Sequence, residues 1–186
     1  IKGGGLSAAI LTYGAVLQDL RLEGHDAPLV LGFDTFENYL GHSPYFGAVV
    51  GRYANRLRGG RFTIDGVRYQ ADTNFLGKHL LHGGSAGAGK RVYRLKAGGI
   101  LQLDLEATTD QPTLCNFSHH SYFNLDDGGS GDILGHRMML NAGAYLPVDD
   151  ELIPTGVVQP VENTPFDFRQ ARPVRRPGDT VEDDHN

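Results

Sequence analysis

Apolar and polar side chains alternate between Gly60 and Ala71, on both sides of the dipeptide Asp65-Gly66. A period of two is typical of a β-strand with one buried face, because successive side chains point to opposite sides of a sheet. Asp-Gly is a preferred pair for the two-residue type I′ turn, which needs positive φ at both positions. The segment therefore predicts a β-hairpin that turns at Asp65-Gly66.

The same alternation recurs in other short segments. Leucine occupies every second position from Leu101 to Leu105, which predicts another antiparallel strand. One helical turn is predicted around Thr35 to Tyr39. With 26 glycines and 9 prolines spread along the chain, the pattern predicts an all-β fold, a sandwich of antiparallel sheets. Further strands are predicted at Ala8 to Tyr13, Val16 to Leu22, Leu29 to Leu31, Arg137 to Leu140 and Tyr145 to Val148.

Composition and charge exclude several functions. The chain has 17 Lys and Arg residues against 22 Asp and Glu, a net charge of −5 without a basic cluster, which argues against nucleic-acid binding. It has no run of about 18 apolar residues to span a membrane, so we expect a soluble globular protein. Its single cysteine, Cys115, excludes an internal disulfide framework and fits a reducing compartment, so a cytoplasmic location is expected.

A glycine-rich segment from Gly84 to Lys90 has the glycines and the lysine of a phosphate-binding loop. Arg91 stands where that loop needs a Ser or Thr hydroxyl for magnesium, and the following residues have the pattern of a strand rather than a helix. We therefore interpret the segment as a flexible loop and not as a nucleotide site.

The histidines allow a metal site as one interpretation. A catalytic zinc site would combine three of them with one carboxylate, and His79, His82, His119 and His120 are the closest in sequence. Adjacent side chains of a strand point to opposite faces, so His119 and His120 cannot easily share one ion, and we predict no metal. Hydrogen-bonded surface or core histidines are the better interpretation of His25, His42 and His136.

Two histidines stand where a ligand could approach. His82 is followed by two glycines, which allow close approach of backbone or ligand. His120 lies in the segment Asn116 to Leu125, which mixes aromatic and hydrogen-bonding side chains and is too polar for a simple core strand. Such a mixture suits a sugar, because a sugar has both hydroxyls and apolar C–H patches.

Six short motifs, in order along the chain, resemble those of the aldose 1-epimerases, also called galactose mutarotases. The resemblance implies a large antiparallel β-sandwich, the galactose mutarotase-like supersandwich, forming a single domain over residues 1–186 that is incomplete in this chain. It also implies interconversion of the α and β anomers of free hexoses such as galactose or glucose, without metal or organic cofactor. The motifs are Leu11-Thr12-Tyr13-Gly14-Ala15, Leu31-Gly32-Phe33-Asp34, Gly51-Arg52-Tyr53-Ala54-Asn55-Arg56, Leu81-His82-Gly83-Gly84, His120-Ser121-Tyr122-Phe123-Asn124-Leu125 and Pro154-Thr155-Gly156.

The resemblance implies a role for five residues. Asn55 and Arg56 would bind the sugar, and His82 would hydrogen-bond it near the ring oxygen. His120 would be the general acid, and Asp184 of Asp184-His185-Asn186 would bind sugar hydroxyls. Opening a cyclic hemiacetal needs a base at the C1 hydroxyl and an acid at the ring oxygen, and histidine exchanges protons near neutral pH. The expected partner is therefore a small sugar, with no nucleic acid or membrane, and monomer and homodimer both stay open.

The chain departs from the family pattern in three places. Ser118-His119 replace the usual Thr-Asn before the acid, and His120 is preferred because the residues after it match in register. The family's base is a glutamate beyond the Asp-His-Asn motif, and we assign no residue of this chain to it. Family members also carry additional strands where only Lys96 to Ile100 intervene here, so we hypothesise that Leu95 and Leu101 are not contiguous in the complete protein. Alternatives are an epimerase of phosphorylated or modified sugars and a non-catalytic sugar-binding module.

Overall fold

The computed structural model describes residues 1–42, 45–93 and 102–175. Its contacts group the chain into two compact units, Ile1–Ser130 and Gly131–Asn186, and the expectation of one domain over residues 1–186 stays a prediction. The single α-helix of the described residues is α1, Phe36–Gly41, at the predicted helical turn. No helix in these ranges is long and apolar enough to cross a membrane.

Short antiparallel strand pairs build the first unit. β1, β2 and β3 form a three-stranded sheet in that order, while β4 pairs with β9, β5 with β8 and β6 with β7. The predicted all-β, antiparallel character is therefore confirmed in the described residues. The strands are β1 Lys2–Gly3, β2 Leu6–Ile10, β3 Leu17–Leu22, β4 Val49–Val50, β5 Arg56–Leu57, β6 Arg61–Ile64, β7 Val67–Gln70, β8 Leu80–Leu81 and β9 Ser118–His119.

The predicted hairpin is present as β6 and β7. Ile64 pairs with Val67 across the turn, and φ is 50° at Asp65 and 79° at Gly66. Positive φ at both central residues is the requirement of the predicted turn. Phe62 pairs with Tyr69, and their stacked rings lie 5.1 Å apart, which adds a cross-strand contact.

A β-bulge shapes the sheet of β2 and β3. The register shifts between Ala9 and Ile10, whose partners are Asp19 and Leu17. Leu17 and Leu20 would face opposite sides in a regular strand, but the bulge allows both to be buried in one core cluster with Val30.

The strand predicted from Leu101 to Leu105 is wrong for the residues that the structure describes. Residues 102–109 belong to no strand, and Leu103 and Leu105 are 46% and 42% exposed. Alternation gives a segment one apolar face, but a strand also needs a neighbour for its backbone hydrogen bonds. No strand of the described ranges pairs with this segment; Leu101 itself lies outside them.

β4 is the most buried strand of the first unit. Val49 is 0% exposed and packs with Ala15 and Ala88, while Ala48, just before the strand, packs in a different cluster with Val16 and Tyr39. The segment is therefore buried on both sides. The backbone of His120, the candidate acid, is hydrogen-bonded to Gly47 and Ala48 of this buried segment, so its position is fixed firmly.

The second unit is described up to Arg175 and contains two antiparallel pairs. Arg172 organises it: its guanidinium lies 3.7 Å from the centre of the Phe168 ring, and it donates hydrogen bonds to four backbone carbonyls, Pro165 and Asp167 among them. The strands are β10 Arg137–Met138, paired with β13 Arg172–Pro173, and β11 Ala144–Tyr145, paired with β12 Gln159–Pro160.

Candidate functional site

The pair of β5 and β8 brings two of the sequence motifs together. Arg56 pairs with Leu81, so the residues beside them, Asn55 and His82, also meet. The His82 amide donates to the Asn55 carbonyl at 3.0 Å, and the Asn55 amide donates to Nδ1 of the His82 ring at 3.1 Å. This double contact fixes both the backbone and the ring orientation of His82.

The glycine after His82 has a steric role. Gly83 has φ of 85°, and a Cβ at this position would overlap the carbonyl of Gly51 and lie 2.7 Å from the Arg52 nitrogen. Only glycine permits this approach without displacing backbone. The glycines of the two motifs therefore serve to pack one loop directly on the other, which places His82 beside Asn55.

His120 reaches the same place from a distant part of the chain. It directly follows β9, and its amide donates to the Ala48 carbonyl at 2.8 Å while its own carbonyl accepts the Gly47 amide at 3.0 Å. These bonds continue the pairing of β4 with β9. The candidate acid is thus hydrogen-bonded to the buried segment, Gly47 and Ala48, that leads directly into β4.

Four rings form an aromatic cluster around the two histidines, defined here as Tyr45, His82, His120 and Tyr122. The centres of the His82 and His120 rings are 5.1 Å apart, with the ring planes at 90°. Tyr122 lies 5.3 Å from His120, and Tyr45 lies 4.7 Å from His82. The two histidines singled out in the sequence are therefore direct neighbours.

The environment keeps His82 neutral. Burial, and then the nearby charges of His120 and Arg56, lower the pKa of His82 to about 4. Its Nδ1 accepts the Asn55 amide hydrogen, so the single proton of the neutral ring is on Nε2. At neutral pH His82 can therefore donate one hydrogen bond from Nε2 without carrying a charge.

His119 occupies a different environment from His120. Its Nδ1 lies 3.1 Å from the Ser121 hydroxyl, and burial lowers its pKa despite a hydrogen bond to the Ala15 backbone. None of the ring contacts of the aromatic cluster involves it. The two adjacent histidines thus have separate partners, which agrees with the expectation that they face opposite sides of a strand.

Arg56 lies beside His82 and is positioned by two neighbours, Phe75 and Asn55. Its guanidinium carbon lies 4.5 Å from the centre of the Phe75 ring, and Nη1 donates to the Asn55 side chain at 3.2 Å. Its Nε is buried and has no hydrogen-bond partner among the described residues. Burial lowers the pKa of this guanidinium from its ordinary value. The guanidinium of Arg56 therefore offers a planar set of donors beside His82.

The sequence matches the family model described as aldose 1-epimerase over residues 1–92 and 90–185. The chain belongs to the aldose 1-epimerase family. The galactose mutarotase of Rattus norvegicus is 39% identical over 199 residues, which cover 89% of this chain and 58% of the rat protein. The aldose 1-epimerase of Haemophilus influenzae is 30% identical over 207 residues, 92% of this chain and 60% of that protein. The chain thus spans about three fifths of the length of these relatives.

Solved structures of the aldose epimerase family have the same fold. A GalM/aldose epimerase homologue from C. elegans superposes with a TM-score of 0.73 at 26% identity, covering 94% of this chain and 64% of that one. A galactose 1-epimerase from Lactobacillus acidophilus gives a TM-score of 0.75 at 26% identity, with 93% and 60% covered. The predicted mutarotase-like β-sandwich is therefore confirmed.

The match to the aldose 1-epimerase family has a break inside the chain. The family model matches in two stretches that meet at residues 90–92. The alignment with the rat protein has 199 positions, more than the 186 residues of this chain, so the relative carries residues that this chain lacks within the matched region. The break in the family match lies close to Leu95, where the sequence analysis places the hypothesised missing segment.

Four of the five predicted site residues of this aldose 1-epimerase family member lie together in the structure: Asn55, Arg56, His82 and His120. The fifth, Asp184, lies outside the described residues. Sequence reasoning did not single out Tyr45 or Phe75, which pack on His82 and Arg56. Their only sequence signal is aromatic character close to the motifs.

Two cavities, of about 310 and 420 Å³, are both lined in part by Arg52 and Gly83. Neither is lined by His82 or His120. We place the candidate site of this aldose 1-epimerase family member at the histidines, because they bring groups able to exchange protons together with a cation. The two cavities have volume, but their linings lack this combination of histidines and arginine.

Proposed function

We propose that this protein is an aldose 1-epimerase that interconverts the α and β anomers of free hexoses such as galactose or glucose. The observation that carries the proposal is the contact of His82 and His120, whose ring centres lie 5.1 Å apart beside Arg56. Membership of the family and the names of the relatives, galactose mutarotase and aldose 1-epimerase, support a free sugar as substrate.

The reaction moves two protons and breaks one bond reversibly. A base takes the proton of the C1 hydroxyl, the bond between C1 and the ring oxygen breaks, and His120 gives a proton to that oxygen. C1 is then an aldehyde, and rotation about C1–C2 presents its other face. The reverse steps close the ring as the other anomer and return both protons. An acid or base of this kind contributes about 10²–10⁴-fold to the rate.

His82 suits the role of a neutral donor in this scheme. With its pKa lowered to about 4, it stays uncharged at neutral pH and offers the Nε2 hydrogen. A hydrogen bond from Nε2 to the ring oxygen would orient the sugar and stabilise the charge that develops as the bond breaks. Because the neutral ring of His82 gives up its Nε2 proton only with difficulty near neutral pH, the acid role falls to His120.

Arg56 and Asn55 would bind the sugar hydroxyls. Arg56 is positioned by the Phe75 ring and by the Asn55 side chain, so its remaining N–H groups are oriented before the sugar arrives. Asp184 is proposed as a further ligand of the hydroxyls, on the motif match alone. The base is not assigned to a residue of this chain.

Polarimetry of the full-length protein tests the proposal. Freshly dissolved α-galactose and α-glucose change their optical rotation slowly by themselves, and the protein should accelerate that change without altering its end point. His120→Ala should lower kcat by about 10²–10⁴-fold, the usual contribution of a general acid. His42→Ala is the matched control, because His42 is exposed at the end of α1 and should leave the rate unchanged.

The outcomes separate the alternatives. Acceleration only with 6-phosphorylated hexoses would indicate an epimerase of modified sugars. Calorimetric binding of free hexoses without any acceleration would indicate a sugar-binding module. An unchanged rate in His120→Ala would reject His120 as the acid even if the protein is active.

A further inference from the structure

Tyr45 contacts both histidines of the candidate site. Its ring centre is 4.7 Å from that of His82, with the planes at 66°, and 6.5 Å from that of His120, with the planes at 27°. It thus presents an edge contact to one imidazole and a nearly parallel face to the other. Tyr45 is half-buried and lies shortly before β4, next to the residues Gly47 and Ala48 to which His120 is hydrogen-bonded.

One side chain ties Tyr45 to the backbone before His82. Asn74 Nδ2 donates to the Tyr45 hydroxyl at 3.2 Å and to the Leu81 carbonyl at 3.0 Å, and Asn74 Oδ1 accepts the Leu81 amide at 2.8 Å. Both amide hydrogens and the amide oxygen are therefore in use. The same carboxamide holds the tyrosine and the residue next to His82, so the two cannot move independently.

These contacts define the role of the tyrosine. We propose that Tyr45, held by Asn74, is a positioning residue whose rigid ring fixes the separation and relative orientation of His82 and His120. The inference rests on the proposed mutarotase function, and it deepens that function by adding a residue outside the motifs that suggested the site. Tyr45 acts through the histidines and needs no contact with the sugar.

The phenol itself is unsuited to proton transfer here. Burial raises the pKa of Tyr45 from its ordinary value, so the group stays protonated at neutral pH, and its oxygen already accepts the Asn74 hydrogen bond. The groups that face His82 are Tyr45, His120 and Arg56. Of these, Tyr45 contacts the imidazole with its ring and adds to the burial that lowers the pKa of His82, while His120 and Arg56 lower it through their charges.

Kinetics of three Tyr45 variants in the full-length protein test the proposal. Tyr45→Phe keeps the ring and should retain kcat within about 3-fold. Tyr45→Leu removes the ring and should lower kcat by about 10²-fold with KM nearly unchanged, because a misplacement of about 1 Å has that cost. Tyr45→Met fills similar volume with a flexible side chain and should behave like Tyr45→Leu while preserving thermal stability. Tyr69→Leu, in the hairpin, is the matched control and should leave kcat unchanged.

An NMR titration of the imidazoles gives a readout that does not need activity. In the wild type His82 should titrate near pH 4, and in Tyr45→Leu and Tyr45→Met its midpoint should move towards the ordinary value of about 6.5, because water reaches the ring. Comparison with His82→Gln assigns the resonance. Absence of mutarotase activity in the wild type would reject the proposed function, while the titration would still report on positioning.

Two results would overturn the inference. If Tyr45→Phe loses as much kcat as Tyr45→Leu, the hydroxyl acts directly and the ring is not what matters. If Tyr45→Leu and Tyr45→Met keep both the wild-type kcat and the His82 midpoint, the tyrosine positions nothing. Should Tyr45→Leu fail to fold, Tyr45→Met decides between these outcomes.

Discussion

Substitution of Gly83 by alanine tests whether the two motif loops depend on direct backbone contact. Gly83 has φ of 85°, which costs about 1–2 kcal/mol for any residue with a Cβ. The new methyl group would also overlap the Gly51 carbonyl and approach the Arg52 nitrogen to 2.7 Å, both of which are backbone atoms that must shift. Overpacking of this kind adds about 1–3 kcal/mol. We therefore expect Gly83→Ala to lower the free energy of unfolding by about 2–5 kcal/mol.

Gly66→Ala provides the matched control for the backbone conformation. Gly66 has φ of 79°, close to that of Gly83, but a Cβ there would meet nothing within 4 Å. Its cost should therefore be the conformational part alone, about 1–2 kcal/mol. Urea unfolding followed by circular dichroism measures both variants, and the difference between them isolates the contact of Gly83 with Gly51. Equal losses in the two variants would refute the steric argument and, with it, the explanation of why the loops pack together.

Two further predictions concern the candidate site. Because the folded protein lowers the pKa of His82 to about 4 while the unfolded chain titrates near 6.5, the unfolded state binds more protons between these values. Stability should therefore fall as the pH drops from about 6.5 towards 4, and urea unfolding of His82→Gln should show a smaller fall; an identical pH dependence would contradict the assignment. Arg56→Lys keeps the charge but loses the guanidinium that lies over the Phe75 ring and its forked donors, so kcat/KM in polarimetry should fall roughly 10-fold, mainly through KM. A fall confined to kcat would instead place Arg56 in the chemical step.

Local features of the fold were predictable because they depend on neighbouring residues. The hairpin at Asp65-Gly66 follows from alternation and from a dipeptide that accepts positive φ, and both features lie within one short segment. The failed strand from Leu101 to Leu105 shows the limit of this reasoning. Its alternation is as regular as that of the hairpin, yet no strand of the described residues pairs with 102–109, and pairing is a property of the whole fold.

Some features of the candidate site could likewise be read from the sequence, and others could not. The sequence by itself determined which side chains are proposed to carry the chemistry, since Asn55, Arg56, His82 and His120 stand in motifs whose residue types are visible without a structure. The glycine after His82 was visible too, although its purpose, the contact with Gly51, was not.

Only the tertiary structure decided how these side chains are arranged. The 5.1 Å contact of His82 with His120 joins two strand pairs that are far apart in the sequence, and the neutral state of His82 follows from burial among those neighbours. Tyr45 became a candidate only through its contacts, because nothing in its local sequence distinguishes it from a core aromatic residue. Periodicity and motifs describe residues that are neighbours in the sequence. Distances, burial and proton positions arise from packing between distant segments, and the arrangement of this site depends on such packing.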